Sequence, residues 1–342
     1  MEPSIILGAK NLTKILITGG AGYIGSHAAW ACVDAGFDIV VLDNLSTGVA
    51  RNVPASATLI EMDIGDRAAV ANVLSTHKID AIMHFAGSIV VPESVVNPGF
   101  YYENNTAKSL GLIQEAVKAG VKAFIFSSTA AVYAPDSTEP LDEAAAKAPL
   151  SPYGQSKLMT ELMLADMSAA HGLSVGVLRY FNVAGDDPQG RTGQSTPNAT
   201  HLIKVACQVA TGQRPSMEVF GTDYDTPDGT CMRDYIHVSD LADAHVLLAQ
   251  YLLAGGANVT ANCGYGKGAS VLEVLASLEK QLNHPIAAKM SHRRAGDAPS
   301  LVANSAHLKS LLPWKPKFEN LDDIVAAALA WERHLVNKGS NL

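Results

Sequence analysis

A short apolar strand that runs into three regularly spaced glycines leaves a chain few folds to choose from. Lys14-Ile15-Leu16-Ile17-Thr18 leads directly into Gly19-Gly20-Ala21-Gly22-Tyr23-Ile24-Gly25, and helical sequence then continues to Ala35, where Gly36 stops it. The unit recurs. Asp38-Ile39-Val40-Val41-Leu42 ends at Asp43, and Thr58-Leu59-Ile60-Glu61-Met62 ends at Asp63. A helix over 68–77 precedes the strand Ala81-Ile82-Met83-His84-Phe85, and a long helix over 101–119 precedes Ala123-Phe124-Ile125-Phe126-Ser127. A helix over 152–171 and a strand over 173–178 follow. Apolar strands without alternation are buried on both faces, and helices between them make the sheet parallel.

Right-handed crossovers then predict an α/β fold: a Rossmann-type doubly wound parallel sheet, with a smaller C-terminal α/β lobe. Residues 14–183 read as the sheet domain and 184–342 as mainly the second lobe. Parts of 173–184 and 234–253 are expected to return to the main sheet. Residues 1–13 read as a flexible extension.

The glycines point to a dinucleotide. Gly19 permits the tight turn, Gly22 lets the backbone approach a pyrophosphate, and Gly25 lets the helix pack close to the sheet. Tyr23 and Ile24 stand in the same turn, where helix N–H groups favour phosphate. Asp43 lies 18 positions beyond Gly25. A carboxylate there accepts from adenosine ribose hydroxyls and repels a 2′-phosphate, and the next arginine is Arg51, so NAD is favoured over NADP. Asn44 adjoins it. Asp63 and Ile64 are placed to flank the adenine, and Phe85-Ala86-Gly87 ends the fourth strand with small residues that leave room for the cofactor.

Far downstream, Tyr153-Gly154-Gln155-Ser156-Lys157 puts a tyrosine and a lysine on one helix face. Free tyrosine, with a pKa near ~10, is a poor base. A nearby ammonium and a positive nicotinamide favour its phenolate, and Lys157 also reaches the nicotinamide ribose. Ser127-Ser128-Thr129 offers a hydroxyl to relay the proton, Thr129 first and Ser128 as the alternative. Together these residues predict hydride transfer between a nicotinamide and an alcohol carbon.

Composition excludes other classes. A net charge of −8 argues against a nucleic-acid surface. No apolar run reaches the ~18–20 residues of a membrane span, and 1–10 lack the zones of a signal peptide. Cys32, Cys207, Cys231 and Cys263 have no metal-binding spacing and read as reduced core thiols of a cytoplasmic protein. No metal is expected.

These motifs resemble the extended short-chain dehydrogenase/reductase superfamily. Within it, Gly19 to His27, Asp43-Asn44-Leu45, His84 to Gly87, Tyr101 to Asn105, Ser151 to Lys157, Arg179-Tyr180-Phe181-Asn182 and Asp228-Gly229-Thr230-Cys231-Met232-Arg233-Asp234-Tyr235 are similar to the UDP-glucose 4-epimerase family. The resemblance runs from about Lys14 to Trp331. It implies Arg233 and Arg294 on a UDP diphosphate, a charge match suited to guanidinium forks. It also implies Phe181 and Asn182 on the substrate side, Phe220 near uracil, and Asp297 at the uridine ribose. Tyr180 is implied near the nicotinamide and Asn104 near the cofactor. Leu301 falls at the back of the sugar pocket, intermediate between a tyrosine that goes with simple hexoses and a small residue that admits N-acetylated sugars. Three positions depart from the family pattern. Thr129 replaces a common serine, Ile89 stands where some members carry lysine, and His201 falls near a substrate-contacting asparagine.

The implied activity interconverts UDP-galactose and UDP-glucose through a 4-keto sugar that turns over in the site before hydride returns. UDP-N-acetylhexosamine or UDP-pentose substrates are the alternatives. Ala130-Ala131-Val132-Tyr133 carries no carboxylate pair, which disfavours a dehydratase, and Tyr153, Lys157 and Thr129 together disfavour a non-catalytic NAD sensor. The resemblance further implies a homodimer built on the helices over 101–119 and 152–171.

Overall fold

The computed structural model describes residues 12–134, 140–196, 199–294 and 298–339. Its chain opens with β1 (Lys14–Thr18), α1 (Tyr23–Asp34), β2 (Asp38–Asp43), β3 (Thr58–Glu61), α2 (Arg67–His77) and β4 (Ala81–His84). Next come α3 (Val91–Val96), α4 (Pro98–Tyr101), a π-helical segment (Tyr102–Ala107), α5 (Lys108–Lys118), β5 (Ala123–Thr129), α6 (Pro152–His171) and β6 (Ser174–Tyr180). The second part holds β7 (Asn182–Ala184), α7 (Leu202–Ala210), β8 (Met217–Phe220), β9 (Met232–His237), α8 (Val238–Leu253) and β10 (Val259–Cys263). It ends with β11 (Gly268–Ser270), α9 (Val271–Leu282), β12 (Ala288–Ser291), β13 (Ser300–Leu301), α10 (Ala306–Leu311) and α11 (Leu321–Asn337).

Seven parallel strands form the main sheet in the order β10-β6-β5-β4-β1-β2-β3. Successive residues point to opposite faces, and both faces are covered. Ile15, Ile17, Ile39, Val41, Met83 and Ile125 enter one core with α1 and α8; Leu16, Val40, Leu42, Ile82, Phe124 and Phe126 enter the other with α2, α5 and α6. This explains the unbroken apolar runs. Strand order reverses between β1 and β4, the switch point where such sheets bind ligands beyond the strand ends.

Two elements differ from the sequence reading. The helix expected over 101–119 begins at Pro98, and its middle is π-helical. There the Asn105 carbonyl accepts from the Ser109 and Thr160 hydroxyls, a side-chain arrangement that periodicity does not register. Within 234–253, the strand portion up to His237 lies not in the main sheet but in a small one, where β9 pairs with β7, β11 and β13. The helix α8 does pack on the main sheet, and the strand that joins that sheet is β10, at its edge beside β6.

The buried Asp234 carboxylate fixes the small sheet by accepting backbone N–H bonds from Tyr265 (3.0 Å), Gly266 (2.8 Å) and Ala303 (3.2 Å). It thereby sets the strands that carry Arg233 and Leu301, which lie opposite each other in the β9–β13 register.

Candidate active site

The glycine turn lies at the switch point. Gly19 has φ +69°, and a Cβ there would come within 2.6 Å of the Ala86 nitrogen. The turn after β1 is thus pressed on the turn after β4. Gly22 N-caps α1 without any side-chain cap, so the first-turn N–H groups are left for a ligand. This cradle fits the pyrophosphate of a dinucleotide. Asp43 ends β2, and its two carboxylate oxygens accept from Ala21 N (2.9 Å) and Leu45 N (2.8 Å), which holds it at the mouth of the cradle. Tyr23 donates to the Gly185 carbonyl (2.7 Å), and Ile24 packs on the core, so both face the cradle through backbone.

Asp63 is more engaged than its sequence position suggests. It accepts from Lys108 Nζ (2.9 Å), Gly65 N (2.7 Å) and Asn44 Nδ2 (3.0 Å), and these bonds outweigh burial to hold its pKa down. Ile64 points its side chain into the core. Phe85 packs partly buried against the core and on the His245 ring. Asn104 donates to Ser88 Oγ (3.0 Å), while Asn105 accepts from Ser88 N (2.8 Å) and donates to the Ser156 hydroxyl (3.1 Å). The turn that follows Gly87 is thereby tied to α6. Ile89 is exposed beside it.

Ser151 caps α6 by accepting from Gly154 N, and Pro152 occupies the first turn, so Tyr153 stands at the helix start. A Cβ on Gly154 would lie 2.3 Å from the Ala131 carbonyl oxygen. That close approach seats Tyr153 beside the end of β5. Burial raises the Tyr153 pKa, and hydrogen bonding with the Thr129 side chain pulls it back. Lys157 Nζ donates to the Ser127 carbonyl (2.9 Å) and sits 4.9 Å over the Phe126 ring. Its burial lowers its pKa to about 8. The phenolate-favouring effect expected of Lys157 is therefore not what governs Tyr153 in the protein alone: the lysine is turned to the strand, and desolvation prevails.

The three hydroxyls that end β5 have separate partners. Ser127 Oγ bonds the Tyr180 hydroxyl, Ser128 Oγ donates to Glu161, and Thr129 remains on the Tyr153 side, its Oγ1 also accepting from Ala131 N (3.1 Å). Ser128, the alternative relay, is thus committed elsewhere. Glu161, Arg179, Asn105 and Ser156 were not singled out for roles from the sequence. A charged Arg179 inside an apolar strand, and a glutamate one turn after Lys157, were the available signals.

On the other side of the cleft, Phe181 and Leu301 pack in one apolar cluster with Ala130, Val132, Tyr133 and Leu141, next to Thr129. Arg233 NH1 donates to the carbonyls of Met232 (2.8 Å) and Ala298 (2.9 Å). The Arg294 guanidinium lies 4.7 Å over the Phe220 ring, joining two residues that sequence alone placed 74 positions apart. Asn182 and His201 line one small cavity with Tyr23, Lys204 and Trp331. Among the described residues His201 Nδ1 is buried there without a hydrogen-bond partner, and burial lowers its pKa. Asp297 lies outside the described residues. Among the described residues no group of His, Cys, Asp or Glu side chains could hold a metal ion, the four cysteines are free and buried, and no helix is long and apolar enough to cross a membrane.

Residues 15–264 match the NAD dependent epimerase/dehydratase family. The chain is 56% identical to the UDP-glucose 4-epimerase of Azospirillum brasilense, over 94% of this chain and 92% of that protein. The solved UDP-glucose 4-epimerase of Brucella ovis, in complex with NAD, is 40% identical with a TM-score of 0.90, covering 93% of this chain and 98% of that one. The UDP-Glc/GlcNAc 4-epimerase of Campylobacter jejuni is 43% identical with a TM-score of 0.82, covering 94% and 99%. On these grounds the chain belongs to the NAD dependent epimerase/dehydratase family.

Proposed function

We propose that this protein is an NAD-dependent UDP-sugar 4-epimerase that interconverts UDP-galactose and UDP-glucose. The observation that carries the reading is the meeting of Tyr153, Lys157 and Thr129 at the strand ends beside a glycine cradle that fits a dinucleotide. When bound, NAD would supply the hydride acceptor and donor for C4 of the sugar. Tyr153 takes the proton of the 4-hydroxyl, Thr129 bridges it, and Lys157 holds the nicotinamide ribose. Gly22 lets the backbone approach the pyrophosphate, between the tight turn at Gly19 and the close packing at Gly25; Asp43 receives the adenosine ribose, and Asn104 and Tyr180 flank the cofactor. Because the hydride returns, the reaction has no net redox change, and the cofactor stays in place.

On the substrate side, Arg233 and Arg294 hold the diphosphate, Phe220 packs near uracil, and Phe181, Asn182 and His201 complete the pocket, with Asp297 at the ribose. Strong contacts on UDP and an apolar surround at Leu301 leave the hexose free to turn. Binding energy is thereby kept on the part of the substrate that does not react. A second substrate class, UDP-N-acetylhexosamines, is favoured by the half-buried Leu301, which is smaller than tyrosine and packs on the same apolar cluster as Phe181.

The outer faces of α5 and α6 support a homodimer. Leu112 and Ile113 are spent on the core, but Leu162 is exposed, and Leu110 and Met163 are only half-buried. Four buried, free cysteines suit a reducing compartment, and we place the enzyme in the cytoplasm. The test is incubation with UDP-galactose, UDP-N-acetylgalactosamine and a UDP-pentose, each followed by quenching and separation of the epimers. UDP-glucose as the fastest product supports the reading, and a UDP-pentose as the only substrate turned over refutes it.

A further inference from the structure

Behind the proton-transfer residues lies a buried ion pair that the proposed chemistry does not use. Arg179, on β6, grips Glu161, on α6, through Nε to Oε1 (3.0 Å) and NH2 to Oε2 (2.5 Å), with both side chains almost fully buried. Glu161 also accepts from Ser128. Arg179 NH1 reaches Tyr133 OH (3.1 Å), which donates to Asn262 Oδ1 (2.6 Å) on β10. One carboxylate thus ties α6 to the ends of β5 and β6, with β10 held through Arg179. A buried pair of this kind is weak as a source of stability, since apolar residues of equal volume serve as well. Its placement is what stands out. Glu161 is one helical turn beyond Lys157, and Ser128 is flanked by Ser127, whose carbonyl holds Lys157, and by Thr129, whose hydroxyl faces Tyr153.

We propose that Glu161 is a positioning residue for the proton-transfer pair: it fixes the end of β5 through Ser128 and Arg179, and it places a carboxylate one helical turn beyond Lys157. The inference rests on the assignment of Tyr153 and Lys157 made above.

The surroundings of Lys157 support an electrostatic part for Glu161. From its own helix it is faced by Tyr153 and Glu161. From β4 comes His84, held neutral by burial and by Lys157 itself. From β5 come the Phe126 ring and the Ser127 carbonyl, and from β6 come Tyr180, bonded to Ser127, and Arg179, already paired with Glu161. Asn105, from the π-helical segment, and Lys157 Nζ both lie against Gly87, at 3.1 and 3.8 Å from where its Cβ would stand. Glu161 is the group in this set that raises the lysine's proton affinity against burial.

The experiment is the pH dependence of kcat and kcat/KM for the wild-type holoenzyme, Glu161→Gln and Glu161→Asp. Lys157→Arg, which does not titrate, identifies the alkaline limb. Glutamine keeps the size and an acceptor for Ser128 but removes the charge. The alkaline limb is expected to move down by about one pH unit in Glu161→Gln, with the acid limb in place. Glu161→Asp should return the limb toward its wild-type position even where kcat is reduced. A uniform loss of kcat with both limbs unmoved would overturn the proposal and leave Glu161 a structural group. Should Glu161→Gln fail to fold with Arg179 unpaired, the double variant Glu161→Gln/Arg179→Gln removes both charges and is read the same way. Tyr153→Phe separates the two levels. Full activity in that variant refutes the assignment of the pair, whereas an inactive Tyr153→Phe with unmoved limbs in Glu161→Gln refutes only the role of Glu161.

Discussion

Gly19 and Ala86 meet backbone to backbone: a Cβ on Gly19 would lie 2.6 Å from the Ala86 nitrogen and 2.8 Å from its Cα, at a φ of +69°. Neither atom belongs to a flexible side chain, so neither can swing aside. Gly19→Ala therefore combines left-handed strain with a backbone clash, and a loss of roughly 2–4 kcal/mol is expected. Gly36 provides the control, with φ +84° and no atom of the described residues within 4 Å of an added Cβ, so Gly36→Ala should cost only about 1–2 kcal/mol. Denaturant midpoints with bound-nucleotide content check this. Gly19→Ala should lose NAD as well as stability, and Gly36→Ala should keep its NAD.

Leu301 and Phe181 both pack on the apolar cluster of Ala130, Val132, Tyr133 and Leu141, beside Thr129. Leu301→Tyr is expected to lower turnover of UDP-N-acetylhexosamine at least about tenfold more than turnover of UDP-galactose, a bias of about 1.4 kcal/mol within the range a pocket methylene supplies. Paired kcat/KM measurements decide it; equal losses on both substrates would contradict the size argument.

Lys204 Nζ bonds Glu332 Oε2 (2.5 Å) and the Gln194 carbonyl (2.8 Å), with both charged side chains buried where α7 meets α11. Glu332→Ala leaves an uncompensated buried ammonium and should cost about 3–5 kcal/mol, whereas Lys204→Met/Glu332→Leu, which removes both charges, should cost much less. Urea unfolding of the two variants makes the comparison.

Four buried imidazoles set an acid dependence of stability. Desolvation lowers His27, His237 and His245 to about 4 and His84 to about 3. Between these values and the ordinary value of 6.5 the unfolded chain binds protons that the folded chain does not. Stability is therefore full above about pH 6.5 and falls as pH drops, by up to about 1.4 kcal/mol per pH unit for each imidazole. The urea midpoint should fall steeply from pH 7 to pH 5, and a flat profile would contradict the buried neutral histidines.

Much of the first 180 residues was legible because parallel strands buried on both faces must be apolar throughout, as Val40-Val41-Leu42 and Phe124-Ile125-Phe126 are. The glycine turn and the Tyr153–Lys157 spacing were legible because each carries its own geometric requirement. The π-helical segment was not, since it depends on Ser109 and Thr160 reaching the Asn105 carbonyl from different turns and helices. The place of β10 was hidden too: Val259-Thr260-Ala261-Asn262-Cys263 mixes polar and apolar residues, and Asn262 is polar because it answers Tyr133 and Leu141. The bond from Lys108 to Asp63 was hidden as well, because the two residues stand 45 positions apart and meet only once α5 packs beside the sheet.

The central claim is that Tyr153 moves the C4 proton beside a resident NAD. The direct measurement is conversion of UDP-galactose to UDP-glucose by purified wild type and Tyr153→Phe with no NAD added, the coupling reagents being introduced only after the quench. Turnover by the wild type, with a loss of at least about a hundredfold in Tyr153→Phe at unchanged nucleotide content, is the predicted result. Comparable turnover by the two proteins, or none by a folded wild type even after NAD is supplied, would contradict the account.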